Sequence, residues 1–155
     1  MEMCIGTLAQ VIDGSFKGPN LSSDISVLRD VINGLYYVHS AKLVHRNIKP
    51  ENILVSKDAR MKLSDLSFAD RITYGSCCWM AQEVLEMLVI ARAFGADNGK
   101  NIKLKVPPSS DIFSAGCVFF VFLTRGVHPF GDECIEQIHN IRKNRPVNIE
   151  SKTNL

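Results

Sequence analysis

No apolar run in the sequence is long enough to cross a membrane. The longest, Ile112 to Leu123, is broken by Ser114 and Gly116 and falls short of the ~20 residues a spanning helix needs. The N-terminus lacks the basic start and apolar core of a secretory signal. Charge of one sign is scarce too. With 18 basic and 16 acidic residues the net charge is +2, too small a bias to point to nucleic acid. Metal-ligand spacing is missing: Cys4, Cys77, Cys78, Cys117 and Cys134 include no C-x-x-C pair and join no His cluster. Scattered cysteines of odd number read as free thiols in a reducing compartment. The adjacent Cys77 and Cys78 do not bridge to each other easily. These absences predict a chain that is soluble by itself and makes no membrane contact of its own.

What is present is an ordinary globular balance, 46% apolar and 22% charged over 155 residues, enough for one domain with a core. Residues 1–12 read as a short extended piece running into a helix. Gly14, Gly18, Pro19 and Asn20 break the chain into a loop. Ser22, Ser23 and Asp24 offer N-caps for a helix over about 24–40, with Ile25, Leu28, Val31, Ile32, Leu35 and Val38 on one face. Leu43-Val44, Ile53-Leu54-Val55 and Met61 to Ser64 read as short strands, with a turn over Lys57 to Arg60. Residues 66–80 have no clear period. A helix is expected from Gln82 towards Phe94, then a loop insertion at 95–101. Ser109 or Ser110 should cap a helix over 111–124, apolar almost all round and so expected to be buried on all sides. A last helix at about 133–143 carries Cys134, Ile135, Ile138 and Ile141, and a polar tail follows from Asn144.

The loop between the first two strand candidates is His45-Arg46-Asn47-Ile48-Lys49-Pro50-Glu51-Asn52. Asp65-Leu66-Ser67, Ala81-Gln82-Glu83 and Asp111 follow in that order. Together these resemble the catalytic loop H-R-D-x-K-P-x-N, the D-F-G and A-P-E motifs and the buried helix of a protein kinase C-terminal lobe. Residues 111–132 (DIFSAGCVFFVFLTRGVHPFGD) and 4–13 (CIGTLAQVID) are most similar to the inositol-requiring kinase/endoribonuclease family, the endoplasmic-reticulum sensors of unfolded protein. The likeness covers about residues 1–142 and is weakest over 68–106.

The resemblance implies a mainly α-helical kinase C-terminal lobe with a small β-ribbon at the catalytic loop. Residues 1–143 would be a partial kinase domain, without the N-terminal lobe or the final helices, and 144–155 a tail. It implies ATP and Mg²⁺ as cofactors. Asp65 and Asn52 would hold metal through hard oxygens. Lys49 would neutralise charge on the transferred phosphoryl group. Leu54 would lie under adenine, and the backbone of Cys4 would meet the base. Arg46 would pair with a phosphate in a regulated kinase, or with a local carboxylate. The implied location is cytoplasmic, on the cytosolic side of a reticulum membrane in full-length relatives.

The departures fall on the chemistry. Asn47 stands where the catalytic Asp would take a proton, and an amide has no useful basicity. General-base help is worth ~10²–10⁴-fold. Leu66-Ser67 replaces Phe-Gly, and Gln82 replaces Pro. No Gly-rich loop, strand Lys or partner Glu precedes residue 4. The segment before Glu83 is short and offers Thr73, Tyr74 and Ser76 as hydroxyls. The expectation is a pseudokinase fragment that binds or dimerises, on itself or on a full-length relative. An active serine/threonine kinase of the unfolded-protein response and a truncated product without function stand as alternatives.

Overall fold

The computed structural model describes residues 3–66, 74–93 and 105–149. Strand β1 (Cys4–Thr7) runs straight into helix α1 (Leu8–Ile12). Thr7 ends the strand and starts the helix: its hydroxyl accepts from the Gln10 N–H, and the Gln10 side chain accepts from the Thr7 N–H. That reciprocal pair satisfies two helix-start donors.

Helix α2 (Asp24–Ser40) has the bounds its caps and period predict. The Ser23 hydroxyl accepts from the Ser26 N–H. Its buried face differs from the expected one. Val27, Val31, Leu35 and Val38 are buried, whereas Ile25 is 68% and Ile32 54% exposed. Two apolar stripes of the same period lie side by side on this helix. The core takes the stripe that meets strand β3 (Met61–Leu63), which α2 packs against. Gly34 permits that approach, since a Cβ there would come within 3.0 Å of the Leu63 side chain.

The sheet is antiparallel in the order β1-β2-β3, where β2 is Ile53–Ser56. Leu54 pairs with Thr7 on one side and Lys62 on the other. The register slips between Cys4 and Gly6, so Ile5 bulges out of the ladder. Leu43-Val44, expected as a strand, forms none. β2 takes β1 as its neighbour, and the next two backbone donors, those of His45 and Arg46, bond to a side chain on a helix. The β2–β3 turn is where the sequence places it, with Ala59 in the left-handed region at φ 56°. Buried Asp30 of α2 ties this turn down. It accepts from Arg60 Nε at 2.8 Å, Arg60 Nη2 at 2.6 Å and the Met61 N–H at 3.0 Å.

After a 3-10 segment, Tyr74–Trp79, come α3 (Gln82–Ala93), α4 (Ser109–Leu123) and α5 (Cys134–Arg142). Pro108, not Ser109 or Ser110, occupies the cap of α4, and Ser110 turns its hydroxyl back to the Pro107 carbonyl. A prolyl residue at a helix start loses no helical hydrogen bond. α4 is not buried all round: Ile112 is 57% and Leu123 42% exposed. With Ile32 and Tyr36 of α2, Ile112 lines an apolar groove of about 480 Å³.

α5 also turns differently from its apolar pattern. Ile135 is 85% exposed, while Gln137, Asn140 and Ile141 are buried. The two amides bond inward to the carbonyls of Gly131, Asp132 and Phe130. They hold the His128-Pro129-Phe130-Gly131 turn. Beyond α5, Val147 and Asn148 donate their N–H groups to Pro129, so the expected tail begins tied to this turn.

One core cluster joins α2, the sheet and α4 through Val31, Leu35, Ile53, Val118 and Phe122. A second joins α3, α4 and α5 through Met80, Val84, Cys117, Phe130 and Ile141. Trp79 packs against both. The fold is mainly helical with a small antiparallel sheet, as expected. The insertion at 95–101 and the segment 67–73, which includes Ser67 and Thr73, lie outside the described residues. No described helix is long and apolar enough to cross a membrane.

Candidate functional site

The His45–Asn52 loop is held by two anchors. Asp111, in the first turn of α4 and 1% exposed, accepts from the backbone N–H of His45 and of Arg46, each at 2.8 Å. His39, from the last turn of α2, bonds the same carboxylate at 2.8 Å. One side chain thus receives two successive peptide donors and a ring. Arg46 sits in the left-handed region at φ 65°, which bends the chain so that both donors converge. The His45 ring is fully buried, and burial pushes its pKa down against the opposing pull of Asp111. Ile48, 2% exposed, plugs the loop into the first core cluster.

Asn52 is the second anchor. It sits in a 3-10 turn, Pro50–Asn52, that leads into β2. Its side-chain N–H donates to the Asn47 carbonyl at 2.8 Å. Its own carbonyl accepts from the N–H and hydroxyl of Ser64. Asn52 therefore binds the loop to the strand end that carries Asp65. Asp65 itself is left-handed, at φ 69°.

At the centre is Asn47, 7% exposed. Its Nδ2 donates to Asp65 Oδ2 at 3.0 Å, and its Oδ1 accepts from the Ser76 hydroxyl at 2.8 Å. Both ends of the amide are in use. Ser76 is 3% exposed, so of the hydroxyls the segment offers, this one is buried and committed. The local pattern gives no sign of it: Ser76 is 29 residues from Asn47 in the chain.

The structure brings three of the expected site residues together: Asn47, Asn52 and Asp65. Lys49 is half-buried and has no ion pair among the described residues. Leu54 is half-buried on the sheet face opposite Ile53 and Val55. Cys4 of β1 faces Ser56 and Leu54 of β2 faces Thr7, so these two lie at different points along the β1–β2 ladder. Among the described residues no group of three His, Cys, Asp or Glu side chains is placed to hold a metal ion. One carboxylate and one amide oxygen are a donor set that suits Mg²⁺, which takes one or two protein ligands and completes its shell with phosphate and water. Beside the loop, a groove of about 500 Å³ carries the basic side chains of Lys42, Arg46 and Lys105 and His39 on a largely apolar lining that includes Leu43, Val44, Leu66, Val106 and Pro108.

The chain matches the protein kinase domain model over residues 1–154. It is 31% identical to human "Serine/threonine-protein kinase/endoribonuclease IRE2" over 160 residues, covering 88% of this chain and 15% of that protein. The rice "Serine/threonine-protein kinase/endoribonuclease IRE1" is 32% identical over 70% of this chain and 12% of its own length. An Arabidopsis thaliana relative, "Serine/threonine-protein kinase/endoribonuclease IRE1a", is 33% identical over 78% and 14% respectively. The chain thus spans about a seventh of the length of these relatives.

Proposed function

From the premise that this chain belongs to the protein kinase domain family, we propose that it is a degenerate C-terminal kinase lobe that binds partners and does not transfer phosphate. The observation carrying this reading is the commitment of Asn47. A general base needs a free lone pair that gains stability on protonation. The Asn47 oxygen is weakly basic and already accepts from Ser76, while its nitrogen can only donate and is spent on Asp65.

The surroundings still suit a nucleotide. Asp65 and Asn52 would hold Mg²⁺ and Lys49 would meet phosphate. Leu54 and the backbone of Cys4 would face the base. ATP with Mg²⁺ would supply the transferable phosphoryl group. This chain's own residues would bind and orient it, and none would take the proton of an acceptor hydroxyl. The groove at Arg46 would accept a phosphorylated segment.

The partner is a second copy or a longer relative of the kinase/endoribonuclease type, and the context is the unfolded-protein response of that family. The exposed Ile32, Tyr36 and Ile112 support a partner-binding role, since apolar surface of this kind marks interaction sites. The test is transfer of labelled phosphate from Mg²⁺-ATP, to the chain itself and to a generic serine/threonine substrate, with Asn47→Ala as the blank. No transfer by the folded chain above that blank is expected. Transfer that Asn47→Ala abolishes would establish an active kinase instead.

A further inference from the structure

Asn47 is bonded on three sides. Its carbonyl accepts from Asn52 Nδ2 at 2.8 Å. Its side-chain Nδ2 donates to Asp65 Oδ2 at 3.0 Å, and its Oδ1 accepts from the Ser76 hydroxyl at 2.8 Å. Chemistry dictates which half of the amide faces which partner. A carboxylate can only accept, so the nitrogen faces Asp65, and a hydroxyl supplies the proton that the amide oxygen needs on the other side. Asn47, Asn52 and Ser76 are 7%, 9% and 3% exposed, so little water competes for these bonds.

We propose that Asn47 is a positioning residue, whose amide aims the Asp65 carboxylate at a divalent cation shared with Asn52. This rests on the reading that Asp65 and Asn52 hold Mg²⁺. The backbone between the two ligands is already tied, because the Asn52 carbonyl accepts from the Ser64 N–H at 2.9 Å and from its hydroxyl at 3.0 Å. Asn52 spends its side-chain nitrogen on Asn47, which leaves its Oδ1 for the metal. The Asp65 side chain can still turn about its own bonds, and the donor from Asn47 restricts that rotation. A carboxylate oxygen has more than one lone pair, so Oδ2 can accept from Asn47 and still ligate. Ligating carboxylates are commonly held by such donors, and losing one costs about 10–100-fold in metal affinity.

An ionised Asp at position 47 would have no proton to give Asp65. The same amide that lacks basicity therefore supplies the donor. Ser76 in turn fixes the amide. It belongs to the 3-10 segment Tyr74–Trp79, which packs against α4 and α5. The packing of that segment thus reaches the cation through one hydroxyl.

The test titrates Mn²⁺, a paramagnetic stand-in that suits the same oxygen ligands, into the purified full chain and follows water-proton relaxation. Wild type should bind the ion, and Asp65→Asn should lose it. Asn47→Ala should weaken binding about 10–100-fold, and Ser76→Ala should fall between that variant and wild type. Each affinity is measured well below the unfolding transition, where a role in folding alone would leave it unchanged. Wild type gives a second readout that no variant can spoil. The Asn47 side-chain amide protons, followed by heteronuclear NMR, should stay protected from exchange when Mg²⁺ is added. Equal or tighter Mn²⁺ binding by folded Asn47→Ala would overturn the proposal. So would loss of that protection on adding Mg²⁺, since the amide would then be a competitor of the cation. Wild type that binds no ion, or binds it equally after Asp65→Asn, would overturn the Mg²⁺ reading itself and this proposal with it.

Discussion

Asn47 donates to Asp65 across 3.0 Å, a bond that two carboxylates at these positions could not make. The amide fills the position with a donor that the Asp65 carboxylate can accept from. In Asn47→Asp, two like charges would meet at that distance, and one of them would be driven to keep its proton.

Asn47→Asp should therefore lose stability as pH rises. The proton that the folded pair retains is lost by the unfolded chain above the ordinary Asp pKa of about 3.9, so the folded state is penalised from there upward. A loss of about 1–3 kcal/mol is expected near neutral pH, shrinking towards pH 4. Thermal unfolding at pH 4.5 and 7.5, with and without Mg²⁺, measures it. Magnesium should recover part of the loss by screening the pair.

Asp30 should govern acid stability. The bidentate bond from Arg60 holds its carboxyl below the usual range. A depressed folded pKa gives stability that is present above about 3.9 and lost as pH falls through the folded value. Asp30→Ala should cost about 1–3 kcal/mol at pH 7, since it strands the buried Met61 N–H. The part of the cost that comes from the Arg60 pair should fade in acid, leaving the part from the stranded Met61 N–H. Urea unfolding at pH 7 and pH 3 would reveal a wrong assignment if the two differences were equal.

His128 acts in the same direction from a different cause. Burial lowers it to about 4, so between about 6.5 and 4 the unfolded chain holds the extra proton and stability falls as pH drops. At pH 5 the loss attributable to this ring is about 2 kcal/mol. His128→Gln keeps an acceptor for the Phe130 N–H and should flatten the profile between pH 7.5 and 5. An unchanged slope in that variant would locate the effect elsewhere, with buried His45 the next ring to test.

Ala59→Gly should stabilise the chain. A φ of 56° places the Ala59 Cβ against its own carbonyl, a strain of about 1–2 kcal/mol. The greater freedom of glycine in the unfolded chain offsets part of this, leaving about 0.5–1 kcal/mol. A lower midpoint for this variant would show that the turn carries no such strain.

The sequence is informative where the determinant is local. Ser23 and the apolar period place α2, and the spacing of Asn47, Asn52 and Asp65 marks the site. It fails where a partner through space decides. Either apolar stripe of α2 fits the helical repeat, and only the position of β3 selects Val27 over Ile25. The burial of Gln137 and Asn140 has no local sign, because their carbonyl partners lie on the turn before α5. Ser76 sits in a stretch with no period, and its role depends on a bond to a residue in a different loop. Leu43-Val44 has strand composition, but among the described residues no strand lies alongside to pair with it.

Asp111 gives the loop an architecture independent of its reactivity. The peptide groups of His45 and Arg46 are clamped by a helix carboxylate, and the Asn47 carbonyl by Asn52. Neither clamp consults the side chain at position 47. The shape of the loop is therefore set apart from the group it displays, much as a mould is indifferent to what is cast in it.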